Sequence, residues 1–133
     1  MLHDMDGSQL HLDVPTAHRI GLAGEAVVRG ELEASGWAIL AERWRCRWGE
    51  LDLVARRNRT IAFVEVKACG PGRRQPWLPL DRRSRHRIRR AAVAWIASHA
   101  REHPQTDRFR FDVAQVKLRD DGDHEVHWLR NAF

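Results

Sequence analysis

The sequence predicts a mixed α/β domain in the order α-β-β-β-α-β-β, and three observations carry that prediction. Apolar residues recur at helical spacing over 19–35 and again from residue 82 to Pro104. Short strand-like runs occur three times between 37 and 67, and twice more after residue 107. Turn-forming residues separate them at Gly36, at Asn58-Arg59, in the Gly/Pro-rich stretch CGPGRRQPWLP and in DDGD.

Residues 1–18 are polar, carry Gly7 and Pro15 and lack periodicity, so they are expected to form a flexible N-terminal tail ahead of a single domain at 19–133. The first helix spans Arg19 to Ser35, with Gly36 placed to stop it. WAILAERW (37–44) reads as the first strand, followed by a basic loop, RCRWG. ELDLVARR (50–57) alternates, placing Glu50, Asp52 and Val54 on one face and Leu51 and Leu53 on the other. TIAFVEVK (60–67) is apolar on both faces, the mark of a central strand, and the three strands fit an antiparallel meander. Asp81 is a helix cap for the second helix, whose buried stripe is Ile88, Ala91, Ala92, Trp95 and Ile96. RFRFDVAQVKL (108–118) and HEVHWLRNAF supply the last two strands.

The chain has 133 residues and a net charge of +5, with 23 Lys+Arg, of which only Lys67 and Lys117 are lysines. No apolar run approaches the length of a membrane span, and the N-terminus lacks a basic-then-apolar signal pattern. Cys46 and Cys69 form neither a metal spacing nor a disulfide framework, so a reducing cytoplasm is the expected location. No phosphate-cradling glycine loop, Ser/His/Asp set or cysteine nucleophile can be assembled. A polyanion partner is favoured.

The chemistry concentrates in GELDLV and FVEVK. Adjacent antiparallel strands bring Asp52 and Glu65 side by side, with Lys67 two residues beyond Glu65 on the same face. Paired carboxylates suit Mg²⁺ or Mn²⁺, which bind a few acids, waters and a substrate phosphate. Lysine is a compact ammonium that can orient water or steady charge on a phosphate, and its choice here contrasts with arginine nearly everywhere else. The bland readings are a solvated strand edge, or a metal-free Glu65–Lys67–Asp52 network.

Five motifs occur in order: G-x-x-G-E at Gly21–Glu25, R-x-R-x-G-E-L-D-L-V at Arg45–Val54, F-V-E-V-K at Phe63–Lys67, R-F-D-V at Arg110–Val113 and N-A-F at Asn131–Phe133. Together they closely resemble the YraN-type family of bacterial proteins, regarded as predicted endonucleases with a restriction-endonuclease-like fold. The wider PD-(D/E)xK nuclease superfamily, including archaeal Holliday-junction resolvases, is similar across the first helix and strands two and three. The resemblance implies that Asp52 and Glu65 are metal ligands; the Val66 backbone carbonyl is a further candidate ligand. It also implies that Lys67 is the superfamily lysine, and that Glu25 is an auxiliary acid, ligating directly or through water. The chain departs from the family at Ala68 and Cys69, where a small polar and a basic residue are usual. Near the start of the second helix Arg85 is the best counterpart of a family lysine.

Nucleic acid is the expected partner, DNA ahead of RNA. Arg82, Arg83, Arg85, Arg89 and Arg90 line the second helix, while Arg45, Arg47, Arg73 and Arg74 flank the site on loops among Trp44, Trp48 and Trp77. Basic loops interleaved with aromatics suit unpaired or branched nucleic acid. The function expected is that of a divalent-metal-dependent endonuclease. The alternative is a nucleic-acid-binding module of the same fold whose acids are structural. Symmetric cutting of a junction requires two active sites, so a homodimer is compatible with the reading. Trp37, Trp95 and Trp128, flanked by apolar residues, are assigned to the core or an interface.

Overall fold

A computed structural model of the chain describes residues 14–72 and 80–133. Helix α1 (Val14–Ala34) is followed by β1 (Ala38–Cys46), β2 (Gly49–Arg57) and β3 (Thr60–Cys69). Helix α2 (Arg82–His99), a 3₁₀ turn (Ala100–Glu102), β4 (Arg108–Leu118) and β5 (His124–Leu129) complete the chain. The α-β-β-β-α-β-β order and the mixed sheet agree with the fold class read from the sequence. One boundary differs: α1 begins at Val14, so residues 14–18 are helical rather than tail. A proline at the second position does not oppose this, because the first turn of a helix leaves its N–H groups unbonded anyway.

The sheet runs β1-β2-β3-β4-β5. β3 is central, antiparallel to β2 and parallel to β4, and α2 makes the crossover that a parallel pair requires. Both faces of β3 are buried as its composition demands. Ile61 and Phe63 pack with Ile88, Ala91, Ala92 and Trp95 of α2, whereas Ala62 and Val64 pack with Val28 and Leu32 of α1. Asp81 caps α2 by accepting the Ser84 N–H at 2.8 Å. Trp37 and Trp95 are buried as expected, and the Trp128 indole N–H reaches across to the Glu31 carboxylate of α1 at 3.0 Å.

The C-terminal motifs form one structural unit. Asp112 is 1% exposed and is gripped by both arms of the Arg110 guanidinium, each at 3.0 Å. The same carboxylate accepts the Asn131 N–H at 2.8 Å, and Phe133 stacks on Phe111 at 4.8 Å. R-F-D-V and N-A-F therefore tie the last residues to the strand beside the core.

Replacing Asp112 by Ala strands a guanidinium and a backbone N–H together. The expected cost is about 3 kcal/mol, the scale for breaking a buried pair. In a thermal melt this lowers the midpoint on the order of 10 °C. A fall of only a degree or two would show that the pair behaves like a surface bridge.

Candidate active site

The acidic residues gather where β2 separates from β3. The ladder between these strands runs from Arg57↔Thr60 to Leu53↔Val64. One step further, register alone would set Asp52 opposite Glu65. There Asp52 uses its side chain in place of a strand partner, its carboxylate accepting the Val66 N–H at 2.9 Å. Lys67 Nζ stands 3.2 Å from a Glu65 carboxylate oxygen, with Lys67 about half exposed and Glu65 largely covered. The sequence expectation that Asp52, Glu65 and Lys67 come together is met in this geometry.

The predicted partition of faces along β2 is not met. Leu51 packs on the α2 side of the sheet and Leu53 on the α1 side, although strict alternation puts both on one face. The strand shifts phase at Asp52. Its neighbour across β1 is Arg43, between the pairs Glu42↔Leu53 and Trp44↔Leu51, and Arg43 has a left-handed φ of 47°. Glu42 correspondingly lies over α1, where it pairs with Arg29, while Trp44 packs into the α2 side. The left-handed Arg43 thus stands opposite the residue at which β2 changes face.

Burial pushes all three acids toward the protonated form. Glu65 is raised to about 8 by desolvation and by the Asp52 charge, which together outweigh Lys67. Asp52 is also raised, mainly by burial, although the Val66 N–H and a hydrogen bond from Glu65 oppose this. Glu25 is raised to about 7, first by desolvation and then by Asp52, with Arg43 pulling the other way. The neighbourhood holds more carboxyl groups than it has cations to balance.

Glu25 reaches this neighbourhood because α1 lies tight against β3. A Cβ on Gly24 would come within 2.6 Å of the Ala68 Cβ, so the helix can approach only with glycine there and a small residue at 68. Glu25 then meets Arg43 Nε at 3.9 Å, an ion pair that the sequence reading missed. A helical glycine followed by an acid is the one signal that could have found it. Among the described residues, no three His, Cys, Asp or Glu side chains stand close enough to hold a metal ion between them. Asp52 and Glu65 are the carboxyl groups that stand together at the end of the β2–β3 ladder, while Glu25 faces Arg43 from α1.

The arginines divide. Arg45 lies on β1 rather than in a loop, 2.8 Å from Glu50, and this pair occupies the Glu50 charge. Arg85 donates to the Leu80 carbonyl at 2.8 Å and is half-buried, so it holds the entrance to α2 in place. Arg82, Arg83, Arg89 and Arg90 are exposed on α2, and Arg47 is exposed at the β1–β2 turn. Arg73, Arg74 and Trp77 fall outside the described residues. Trp44, expected among the basic loops, instead packs edge-on to His99 against the core.

The family model described as Uncharacterised protein family UPF0102 matches residues 24–116. The chain belongs to UPF0102. A UPF0102 protein of Synechococcus sp. (strain JA-3-3Ab) is 48% identical over 104 residues, covering 75% of this chain and 76% of the relative. Another, from Parafrankia sp. (strain EAN1pec), is 42% identical over 122 residues, covering 88% and 98%. A third, from Acidothermus cellulolyticus, is 36% identical over 122 residues, covering 86% and 92%. This UPF0102 family is the YraN-type family that the five motifs resemble. The matched segment of the UPF0102 model includes Glu25, Asp52, Glu65 and Lys67.

The raised acids fix the sign of a pH effect in the metal-free protein. Glu65 goes from an ordinary 4.5 to about 8 on folding, so its protonated form favours the fold. That contribution is complete below the unfolded value and is lost as pH rises through about 8. Thermal melts in chelator are expected to show stability falling from about pH 5 to about pH 9. Glu65→Gln should flatten this fall, leaving the variant at least as stable as wild type at the alkaline end. Wild-type stability that rises across the window would mean that the acids are already solvated and charged.

Proposed function

We propose that this protein is a divalent-metal-dependent endonuclease that hydrolyses phosphodiester bonds in DNA, with branched or otherwise structured DNA as the substrate class. One observation carries the reading: two covered carboxyl groups share a site with a single lysine amid an arginine-rich surface, and burial raises the pKa of each. Such a pair is expensive to ionise alone and is relieved by a cation. The donors are hard oxygens, which suits Mg²⁺ or Mn²⁺ rather than a thiophilic metal.

Asp52 and Glu65 would hold the ion. The backbone supports Val66 as a third oxygen donor. In an extended residue the N–H and C=O point to the same edge, and the Val66 N–H already points at Asp52. When bound, the cation supplies charge neutralisation at a phosphate and acidifies water. The chain's own groups do the rest. Lys67 Nζ, held against Glu65 and half exposed, orients a water or stabilises charge that develops on the phosphate oxygens. Glu25 acts from the second row, setting the orientation of Arg43 and adding negative charge beside Asp52. The exposed arginines of α2 neutralise the flanking phosphates.

A second reading has an observation of its own. The Asp52–Val66 and Lys67–Glu65 contacts already satisfy part of the site without an ion. A nucleic-acid-binding module with a structural acid pair would look the same in that respect.

Incubating wild type with linear, nicked and four-way DNA in Mg²⁺ or Mn²⁺ tests the first reading. Cleavage is expected, with Asp52→Ala and Glu65→Gln losing it and Lys67→Ala falling about 10²-fold or more. Cleavage by Asp52→Ala at the wild-type rate, or DNA binding with no cleavage under any divalent ion, would favour the binding module instead.

A further inference from the structure

At the β1–β2 turn, two guanidinium groups contact the Trp48 ring. Arg90 of α2 lies 3.5 Å from the ring centroid and Arg47 lies 4.6 Å from it. Between this turn and the flank of α2 runs an open trough of about 470 Å³. Val93, Ala94 and Ala97 form an apolar floor, and His86, Arg89 and Arg90 supply a basic rim. Val93 is 66% exposed, so the helix presents an aliphatic side chain to solvent about one turn beyond the basic run that ends at Arg90.

That combination selects its occupant. A basic rim alone would be served by any polyanion, and a DNA duplex would touch only the rim, because its bases are stacked inside. An apolar floor beside an indole calls for a flat, poorly hydrated group that arrives with negative charge attached. A nucleotide whose base has left the helix has that chemistry. Bases stack on aromatic rings and on guanidinium planes alike, so the Arg90–Trp48 pair offers a continuous stacking surface. Arg89 lines the same trough, where it would meet a phosphate, while Arg47 lies over the Trp48 ring.

The trough also lies on the correct side. α2 covers the face of β3 that carries Ile61 and Phe63, and alternation places Glu65 and Lys67 on that same face. Trp48 precedes Asp52 by four residues of β2, about 13 Å along an extended strand. A single strand entering the trough therefore leads toward the acids. We infer that the Trp48–Arg90 trough binds an unpaired nucleotide next to the cleavage site, so that Trp48 selects DNA containing single-stranded or splayed segments over blunt duplex. This deepens the nuclease reading and rests on it for the identity of the neighbouring site.

Binding measured in chelator separates the two claims, because it requires no cleavage. Fluorescence anisotropy with labelled single-stranded, forked and blunt duplex DNA, at one fixed salt, gives the ratio of single-strand to duplex affinity. Trp48→Ala is expected to lower that ratio about tenfold, the scale of one lost base stack, and Trp48→Phe to retain most of it. Irradiating wild type with a single strand containing 5-bromouracil should cross-link at Trp48, as located by peptide mass spectrometry. An unchanged ratio in Trp48→Ala, or cross-links that map only elsewhere, overturns the assignment while leaving the nuclease reading intact. An acidic peptide as the true occupant would give no preference for single strands in wild type, which also overturns it. Loss of cleavage with the preference retained would instead count against the nuclease reading alone.

Discussion

The bond from the Val66 N–H to the Asp52 carboxylate is the constraint on which the site depends. A strand N–H at the point where a ladder ends must find an acceptor, and a buried one left without a partner costs on the order of 1–3 kcal/mol. By supplying that acceptor from a side chain, the protein lets β2 part from β3 without leaving a gap in the hydrogen bonding. The separation makes room for a second carboxyl group, and Glu65 occupies it. The proximity of two acids is therefore a product of how the sheet ends, and the lysine beside them offsets only part of their charge.

Much of this was legible in the sequence because it follows from alternation. A strand apolar on both faces had to be central, and acids at set distances along two neighbouring strands had to meet. The phase shift at Asp52 was not legible. It depends on Arg43 adopting a left-handed φ of 47°, and an arginine carries no local signal for a conformation usually left to glycine or asparagine. Gly49, by contrast, takes a φ of 142° at the β1–β2 turn, and its glycine there is required by the backbone. The start of α1 escaped notice because polar residues without periodicity resemble a tail whether or not they extend a helix. Among the short motifs, G-x-x-G-E and F-V-E-V-K contribute to the site, whereas R-F-D-V and N-A-F are accounted for by a buried ion pair and an aromatic stack.

The arginines show why a charge count cannot identify a binding surface. Arg110 is consumed by a buried carboxylate, Arg85 by a carbonyl and Arg45 by a neighbouring acid. Arg57 and Arg110 lie against the Trp37 ring, where they cover an indole that would otherwise be exposed at the sheet's edge. After these are set aside, Arg82, Arg83, Arg89 and Arg90 on α2 and Arg47 at the β1–β2 turn are among the arginines that still face solvent. Net charge gives the sign of a partner, and only the geometry of each guanidinium says which charges remain available to meet it.

Glycine 24 connects the packing to the chemistry. Its missing side chain allows α1 to approach Ala68, and the next residue of the helix is the acid that acts on Asp52. A larger residue at 24 would push the helix away, and the movement would carry Glu25 off Arg43. The left-handed Arg43 would then lose the carboxylate that holds its guanidinium. Since Arg43 stands opposite Asp52, a change in helix packing reaches the acid pair through one ion pair and one strained residue. The departure from the family at residue 68 is constrained by the same contact. Whatever replaces Ala68 must remain small enough for the helix, so substitutions that alter the loop after β3 are limited by the wall that positions Glu25.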